Sequence, residues 1–425
     1  MEKTAIIGLG CAGYHAIKEL RSHGWKGEIH VFSDGAQSAA NPMLTTYYVS
    51  GKIPREAMFP FGSPEKLKEE YDVILHTQEP VRHIDSVSRT LLFENSRSEP
   101  FDRILISTGA RAVSPKLGQG GFGRTFLMRT PEDAQKLKDM LDQNRTASAL
   151  VVGASMVGIK VVELLHDRSI DVSLADMADR LFPLACMNET AQILQEDLET
   201  KGIKLNLGKG VDHVEESEEG VKTWLTDGTC ADADILILCI GTRANVELVA
   251  NTEVVEGEPV LVNRGIVVDE HMQTSIPGIY AAGDCCEALN IQTGKTMIIG
   301  LWANAAEQGR IAGCNMAGCD ERYKGSIPNN ITHYFDQTFI GIGDPNLPGK
   351  RYVFRNKAGV VTAIGTDDGL QCVNILGNYR ISGMVREYLM NRIRGVDDTL
   401  TRADEGFLLA CGLPEGMISL LRGNK

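Results

Sequence analysis

Near the N-terminus the chain reads Ala5-Ile-Ile-Gly-Leu-Gly-Cys-Ala-Gly13, and this segment is the strongest indication of the fold. An apolar run ends in glycines with the spacing Gly-x-Gly-x-x-Gly, and a helical pattern continues through Leu20. In a βαβ unit the first glycine makes a tight turn, and the second lets a pyrophosphate approach the backbone. The third allows close packing of helix on strand, so that the phosphate lies at the positive N-terminus of the helix. The stretch therefore predicts a strand, a dinucleotide-binding turn and a helix.

The same unit occurs a second time. Residues 151–158 read Val-Val-Gly-Ala-Ser-Met-Val-Gly, and a helical pattern follows through Leu165. Each unit continues into a second strand that ends in an acid, Asp34 in the first and Asp176 in the second. An acid about 20 residues after the glycines accepts hydrogen bonds from ribose hydroxyls. The repetition predicts two βαβ nucleotide-binding domains.

Both units also close in the same way. Residues 102–109 and 234–241 are apolar runs that begin with aspartate and end with glycine. Short alternating runs precede them, around 81–93 and over 211–225, and predict antiparallel strands. A third motif, Thr274–Asp284, contains a strand over Ile279–Ala282 that ends in Gly283-Asp284. Because it follows the completed second unit, we expect it to extend the first sheet.

Charge and hydropathy exclude several classes of protein. The 425 residues carry 43 Lys+Arg and 56 Asp+Glu, a formal net charge of −13, which argues against nucleic-acid binding because that needs a basic footprint. The N-terminus has no signal-peptide pattern. The apolar segment Ala147 to Leu165 contains Lys160 and Glu163, so it predicts a strand, a turn and a helix, not a membrane span. We expect a cytoplasmic protein.

The ten cysteines form no Cys-x-x-Cys pair, so the sequence signals neither a zinc knuckle nor a redox dithiol. Most are interpreted as reduced core residues. Cys285-Cys286 invites a redox hypothesis, but buried thiols are the favoured interpretation. Cys314 and Cys319 lack a partner set for a cluster, and no metal site is predicted. No protein side chain is assigned a catalytic role.

The arrangement resembles the FAD-dependent pyridine-nucleotide reductases, which include rubredoxin and ferredoxin reductases, nitrite-reductase flavin domains, NADH oxidases and CoA-disulfide reductases. The likeness covers nearly the entire chain. It implies an α/β fold with two Rossmann-like dinucleotide-binding domains, for FAD and for NAD, and a C-terminal α+β interface domain. The implied domains are 1–112 for the first part of the FAD domain, 113–245 for NAD(H), 246–325 for the second part of the FAD domain, and 326–425 for the interface or dimerisation domain.

The C-terminal hundred residues have no glycine fingerprint. Short strands are predicted over 352–355, 360–364 and 371–376, and an amphipathic helix over 381–393. This pattern matches the family's C-terminal domain, which is used for dimerisation or for covering the flavin. An oligomer is therefore possible on the resemblance.

The resemblance also implies which residues bind the cofactors. Asp34 would bind the FAD ribose, and Ser33 is a competing candidate for that role. Asp284 would bind the ribitol chain. Trp302 is either a residue at the flavin or an aromatic residue of the core. The full FAD set is Gly8, Gly10, Cys11, Ala12, Gly13, Ser33, Asp34, Pro42, Thr45, Val81, Thr108, Gly109, Arg111, Gly283, Asp284, Trp302 and Ala305. The NAD(H) set is Gly153, Ser155, Met156, Val157, Gly158, Asp176 and Gly241.

The carboxylate of Asp176 also bears on the choice of nicotinamide cofactor. A carboxylate at this position repels a 2′-phosphate, so NAD(H) is favoured over NADP(H). Arg180 is close to Asp176 in the sequence. If its guanidinium reached the 2′-phosphate of NADP(H), it would weaken the preference for NAD(H). The alternative is that Arg180 forms a surface salt bridge.

One departure from the family restricts the route by which electrons can leave the flavin. Disulfide reductases of this kind carry a redox cysteine just after the second strand, whereas this chain has no cysteine between Cys11 and Cys186. A thiolate relay therefore lacks its nucleophile. Residues 41–51 resemble the rubredoxin- and nitrite-reductase branch instead, with Asn41 in place of arginine and Thr45 in place of serine.

On this resemblance the protein is an FAD-dependent NADH oxidoreductase. It would exchange electrons, by hydride transfer to the flavin, between NAD(H) and a rubredoxin- or ferredoxin-like carrier or an iron–sulfur, molybdenum or tungsten enzyme subunit. The alternatives are an NADH oxidase that reduces O₂ and a redox-sensing flavin-binding subunit.

Overall fold

A computed structural model describes residues 1–117, 122–250, 260–367, 369–377, 380–396 and 400–422. The chain divides into two compact units. The first comprises residues 1–44, 53–111 and 242–326, and the second comprises 45–52, 112–241 and 327–425. The finer division into four domains stays a prediction.

The elements up to residue 127 begin with strands and helices and end with a run of strands. The strands are β1 Lys3–Ile7, β2 Glu28–Ser33, β3 Ile74–Thr77, β4 Val81–Asp85, β5 Thr90–Phe93, β6 Ser98–Pro100, β7 Arg103–Ile106, β8 Ala110–Ala112 and β9 Thr125–Leu127. The α-helices are α1 Cys11–Ser22, α2 Thr45–Val49 and α3 Pro64–Tyr71, and short 3₁₀ helices span Pro42–Leu44 and Arg55–Met58.

The middle of the chain also begins with helices and strands in alternation and continues with a run of strands. Its strands are β10 Ser148–Val152, β11 Asp171–Asp176, β12 Lys204–Leu207, β13 Val211–Glu216, β14 Val221–Leu225, β15 Cys230–Ala233, β16 Ile235–Leu238 and β17 Thr242–Ala244. Its helices are α4 Pro131–Asp142, α5 Met156–His166, α6 Asn188–Thr200 and α7 Glu247–Ala250.

The last part of the chain begins with short strands and ends with helices. The strands are β18 Ile266–Val267, β19 Ile279–Ala281, β20 Cys286–Asn290, β21 Lys295–Met297, β22 Asn329–Tyr334, β23 Gln337–Ile342, β24 Lys350–Asn356, β25 Gly359–Thr366 and β26 Gly369–Leu376. The helices are α8 Trp302–Met316, α9 Ser382–Ile393, α10 Arg402–Ala410 and α11 Glu415–Arg422.

Each unit contains a five-stranded parallel sheet. The order is β19-β7-β1-β2-β3 in the first unit and β12-β11-β10-β16-β9 in the second. In the first sheet Ile279–Ala281 pairs in parallel with Ile104–Ile106, which confirms that the chain returns to extend this sheet. The central strands β1, β10 and β16 are almost entirely buried, as expected for parallel strands covered on both faces.

Antiparallel sheets complete both units. The predicted alternating runs form β4 and β5 in the first unit and β13 and β14 in the second, and β6 and β15 add a third strand to each sheet beyond the predicted runs. The second unit also contains the five-stranded sheet β22-β23-β26-β25-β24, which extends beyond the three strands predicted there. Helix α9 starts one residue later than predicted and buries Val385 and Leu389 as expected.

The aspartates that begin the closing strands hold two distant segments together. The Oδ2 of Asp102 accepts the backbone N–H of Lys3 at 2.7 Å. In the second unit the Oδ2 of Asp234 accepts those of Ala147 and Ser148 at 2.6 and 2.9 Å. Each carboxylate therefore aligns the start of the first strand beside the closing strand.

Helices α1 and α8 pack closely in the first unit. A Cβ on Gly309 would overlap the carbonyl of Ala12, and a Cβ on Gly313 would overlap that of Ala16. Only glycine permits this approach of the two backbones. Among the described residues, no helix combines the length and the apolar character that crossing a bilayer requires.

Candidate functional sites

The first glycine loop is shaped by contacts that exclude side chains. Gly8 has φ +104°, and a Cβ there would overlap the carbonyl of Ser107. A Cβ on Gly13 would overlap the carbonyl of Gly8. By contrast, the nearest neighbour of a Cβ on Gly10 would be 4.0 Å away. The first and third glycines therefore build the turn, and the second keeps one side of it open.

The open side faces the N-terminus of α1. Gly10 is the N-cap residue, and no side chain of the described residues caps the helix there. Helix N-termini leave backbone N–H groups that favour an anion. The loop thus fits the pyrophosphate of a dinucleotide.

The structure brings the third motif to this loop. A Cβ on Gly283 would lie 3.2 Å from the Cβ of Ala12 and 3.7 Å from that of Ala305. The thiol of Cys11 donates to the carbonyl of Trp302 at 3.5 Å. Burial, with the charge of Asp284, raises the pKa of that thiol to about 12. Residues predicted from three separate motifs therefore meet at one site.

The side chain of Trp302 is half-buried and part of an aromatic stack. Its ring lies 5.7 Å from that of Phe61 at an interplanar angle of 18°. Phe61 stacks in turn on Tyr14, with centroids 3.9 Å apart. Trp302 packs against the core of the first unit and is the first residue of α8. It therefore contributes to the core and also lies beside the candidate site.

The two candidates for the FAD ribose stand at the end of β2. The carbonyl of Phe32, the residue before Ser33 in this strand, accepts the N–H of Gly8 at 2.8 Å, so this end of the strand adjoins the glycine loop. The hydroxyl of Ser33 accepts the N–H of Gly35 at 3.2 Å, and Asp34 is exposed. Val81 is buried at the start of β4.

The linker predicted to pass the flavin is tied to residues 245–247. The hydroxyl of Thr108 donates to the carbonyl of Asn245 at 2.7 Å, and Asn245 donates back to the carbonyl of Thr108 at 2.9 Å. The carbonyl of Gly109 accepts the N–H of Asn245. Arg111 donates to Asn245 and to Glu247, at 2.7 and 2.5 Å. The structure thus assigns protein partners to the Arg111 guanidinium.

Two predicted FAD residues lie in the segment after β2. Pro42 begins a 3₁₀ helix. Thr45 begins α2 and is buried, and it belongs to the second compact unit, whereas Pro42 belongs to the first.

The second glycine loop repeats the geometry of the first. Gly153 has φ +111°, and a Cβ there would overlap the carbonyl of Cys239. A Cβ on Gly158 would overlap the carbonyl of Gly153. Ser155, which stands where the first loop has Gly10, is the N-cap of α5 and accepts the N–H of Gly158 at 3.2 Å. Half-buried Met156 and Val157 follow in the first turn of α5.

Asp176 is hydrogen-bonded to this loop. Its Oδ2 accepts the N–H of Ala154 at 2.6 Å, and its Oδ1 accepts that of Ala178 at 2.7 Å. Arg180 instead donates to the carbonyls of Cys186 and Pro183 at 3.2 and 3.1 Å, which holds its guanidinium in the following turn. Gly241, with φ +98°, follows the closing strand.

None of the ten cysteines is in a disulfide, and seven are buried, as predicted for reduced core residues. Both Cys285 and Cys286 are buried, and burial raises the pKa of each thiol. Burial likewise raises the pKa of Cys239, beside the second loop, to about 12.

Two polar residues at the first site escaped the sequence analysis. The buried side chain of Gln308 accepts the N–H of Gly283 at 2.8 Å, and Asn245 holds the linker. Gln308 lies one helical turn after Asn304 on α8, and both side chains are buried. Two polar residues at helical spacing among small residues were therefore the sequence pattern that could have indicated Gln308. No local signal marks Asn245, because its partners lie more than 130 residues earlier.

Comparison with known proteins shows the family of the chain. Residues 2–309 match the model of the pyridine nucleotide-disulphide oxidoreductase family. An NADH oxidase of Methanocaldococcus jannaschii is 29% identical over 345 residues, 80% of this chain and 76% of that protein. The epsilon subunit of an NADH-dependent phenylglyoxylate dehydrogenase of Aromatoleum evansii is 26% identical over 81% of this chain and 80% of its own.

A solved structure has the same fold. Putidaredoxin reductase, in its covalent complex with putidaredoxin, superimposes with a TM-score of 0.84 at 22% identity, over 97% of this chain and 99% of that one. The chain therefore belongs to the pyridine nucleotide-disulphide oxidoreductase family, as an FAD-dependent NAD(P)H oxidoreductase with FAD and NAD(H) as its cofactors.

Proposed function

We propose that this protein exchanges electrons between NAD(H) and a redox protein, either a small rubredoxin- or ferredoxin-like carrier or an iron–sulfur or other metal-containing subunit. Bound FAD would supply the chemistry, since it accepts a hydride from a nicotinamide and can release electrons singly. The residues of this chain would bind, orient and shield the two cofactors.

The observation that carries the proposal is the absence of a usable thiol at the first site. Of the cysteines in the described part of the first unit, Cys11 adjoins the glycine loop, yet its thiol is buried, donates to Trp302 and has a pKa raised to about 12. A nucleophilic relay requires a thiolate. Electrons would therefore leave the flavin without passing through a cysteine, which fits direct transfer to a one-electron carrier.

The two glycine loops would hold the cofactors differently. The uncapped N-terminus of α1, opened by Gly10, would bind the FAD pyrophosphate, with Asp284 on the ribitol chain. The loop from Gly153 to Gly158 would bind NAD(H), with Asp176 near the adenosine ribose. The N-terminus of α8 would stabilise negative charge near its first residue, Trp302.

The relatives support a protein acceptor without naming it. Putidaredoxin reductase was solved joined to a small redox protein. The phenylglyoxylate dehydrogenase relative is by name one subunit of a larger enzyme. Both precedents fit a chain that delivers electrons to a partner, and neither identifies the partner here.

The test is anaerobic reduction of the flavin-loaded protein by NADH, followed by stopped-flow mixing with a rubredoxin, a ferredoxin or air-saturated buffer. We expect reoxidation by at least one carrier to be faster than by O₂. Because no thiolate takes part, alkylation with N-ethylmaleimide should leave both half-reactions unchanged. Loss of reoxidation on alkylation would contradict the proposal.

An NADH oxidase is the second candidate, because the Methanocaldococcus jannaschii relative bears that name. Rapid reoxidation in air, with stoichiometric formation of peroxide or water and no transfer to carriers, would favour it. Very slow NADH turnover with every acceptor would favour the redox-sensing subunit instead.

A further inference from the structure

Away from the glycine loops, the first unit gathers three metal-binding side chains. His23, Cys314 and Cys319 place one ligand atom each within 4.8 Å of one another. His23 directly follows α1, whereas Cys314 lies in the last turn of α8 and Cys319 just beyond it. The sequence around the two cysteines contains no further cysteine or histidine that could bind a metal. The fold brings His23 to Cys314 from 291 residues away.

The backbone explains why the two thiols meet. At the end of α8, Gly318 has φ +97° and donates its N–H to the carbonyl of Asn315 at 3.0 Å, while Cys319 donates to that of Cys314 at 3.1 Å. These are the two bonds of a Schellman motif, in which the side chains at C3 and C″ come into contact. Here both positions are cysteines. The proximity of the thiols is therefore built into the helix terminus.

The imidazole of His23 is oriented as a ligand would be. Its Nε2 lies 3.6 Å from the Sγ of Cys314. Its Nδ1 lies 3.1 Å from the carbonyl of Glu19 and 3.4 Å from the Oε2 of the same residue. Metal-binding histidines commonly donate their second ring N–H to a carbonyl or carboxylate, which fixes the tautomer and leaves the other nitrogen free to bind.

The spacing fits a tetrahedral zinc ion. With Zn–S about 2.3 Å and Zn–N about 2.0–2.1 Å, a sulfur and a nitrogen of one tetrahedron stand about 3.6 Å apart. Two thiolates and one imidazole also prefer Zn²⁺ to the hard cations Ca²⁺ and Mg²⁺. The His23 side chain is 39% exposed, which gives an ion a path from solvent and leaves room for water as the fourth ligand.

We propose that His23, Cys314 and Cys319 form a Zn²⁺ site that clamps the C-terminal ends of α1 and α8. Binding forms two Zn–S bonds and one Zn–N bond, and the two thiol protons leave to solvent. Because α1 and α8 begin at the first glycine loop and at Trp302, the clamp would stabilise the pair of helices that carries this site. The inference does not depend on the identity of the electron acceptor.

The test uses flavin-loaded protein that is purified under anaerobic conditions with its thiols reduced. Elemental analysis of this protein should find one Zn²⁺ per chain. After chelation has removed the metal, added Zn²⁺ should raise the melting temperature, and added Co²⁺ should give thiolate-to-metal charge-transfer bands in difference spectra against the flavin. Cys314→Ser and Cys319→Ser should each weaken Zn²⁺ binding by more than about 100-fold, beyond the 10–100-fold typical of losing an outer-shell partner.

Matched variants separate the site from adventitious binding. Cys230→Ser removes an exposed cysteine of the second unit and should leave the Zn²⁺ affinity unchanged, while Glu19→Gln should weaken it by about 10-fold. Flavin content shows that each variant is folded. Equal Zn²⁺ affinity in wild type and Cys319→Ser, or a Cys314–Cys319 disulfide in the anaerobically purified protein, would overturn the proposal.

Discussion

The two glycine loops share a backbone but satisfy their helix N-termini differently. In both, the first glycine has a positive φ against the closing strand, and the third packs on the carbonyl of the first. In the first loop, Gly10 leaves α1 without a cap from any described side chain. In the second, Ser155 accepts the N–H of Gly158, and Asp176 accepts that of Ala154.

This difference has a consequence for binding strength. A ligand at the first loop meets N–H groups at the start of α1 that no side chain in the described part of the protein caps, whereas a ligand at the second must replace hydrogen bonds that the protein already makes. Replacing an existing hydrogen bond yields little net free energy. The contrast matches a cofactor that stays bound at the first loop and a nucleotide that exchanges at the second.

The largest effect is expected from alanine at the first glycine of each loop. A non-glycine residue at such a φ costs of order 1–3 kcal/mol, and overlap with Ser107 or Cys239 adds to this. Gly8→Ala should be isolated with little or no flavin. Gly153→Ala should keep its flavin but lose at least about 100-fold in its rate of reduction by NADH, or about 2.7 kcal/mol.

Visible absorbance and anaerobic stopped-flow measurements check this pair of variants. Gly406→Ala, at a helical position where a Cβ meets nothing within 4 Å, should change neither property. Loss of flavin from Gly153→Ala with retention in Gly8→Ala would reverse the assignment of the two loops.

A smaller effect is expected at the acids that follow the loops. Asp176→Ala should lower the ratio of kcat/KM for NADH to that for NADPH by about tenfold, or about 1.4 kcal/mol, because a carboxylate that repels a 2′-phosphate is gone. Asp176→Asn keeps an acceptor for Ala154 while removing the charge, and should shift the ratio in the same direction. Steady-state kinetics with both nucleotides measure it.

The matched control for this ratio is Asp34→Ala in the first unit. It should leave the nucleotide preference unchanged, because the first loop is assigned to FAD. An equal shift in Asp34→Ala, or none in Asp176→Ala, would contradict the assignment of the second loop to NAD(H).

The smallest effect concerns the caps themselves. Ser155→Gly frees the N–H of Gly158, so the KM for NADH should fall by about two- to fivefold, an effect below 1 kcal/mol. Replacing a serine cap by glycine costs only a few tenths of a kcal/mol of stability. The reverse change, Gly10→Ser, would cap α1 and should weaken FAD binding in equilibrium dialysis. Tighter FAD binding by Gly10→Ser would refute the proposed role of the caps.

Much of the fold was predictable because its signals are local. Strands β1, β10 and β16 are short apolar runs beside glycines, and their burial follows from helices on both faces of a parallel sheet. The return of β19 was predictable from its place after the second unit. The site residues near Gly283 and Trp302 were named on the family resemblance, and their meeting at one loop became visible only in the folded chain.

Other features lay beyond such reasoning. The sequence shows serine in place of a glycine at Ser155, but its role as the cap of α5 depends on the position of Gly158 in space. Sequence analysis assigned Arg111 to cofactor binding, whereas the structure also shows it bound to Asn245 and Glu247. Hydrogen bonds between distant segments depend on packing, which no local pattern records.

Sequence alone was enough to identify the two dinucleotide loops, the strands and helices next to them, and the missing cysteine after β2, because glycine conformations and apolar periodicity are set within a few residues. The packing of the folded chain places Gln308 against the Gly283 turn and His23 beside Cys314 and Cys319. The first contact spans 25 residues and that between His23 and Cys314 spans 291, and both depend on how α8 packs in the first unit, which no local pattern records.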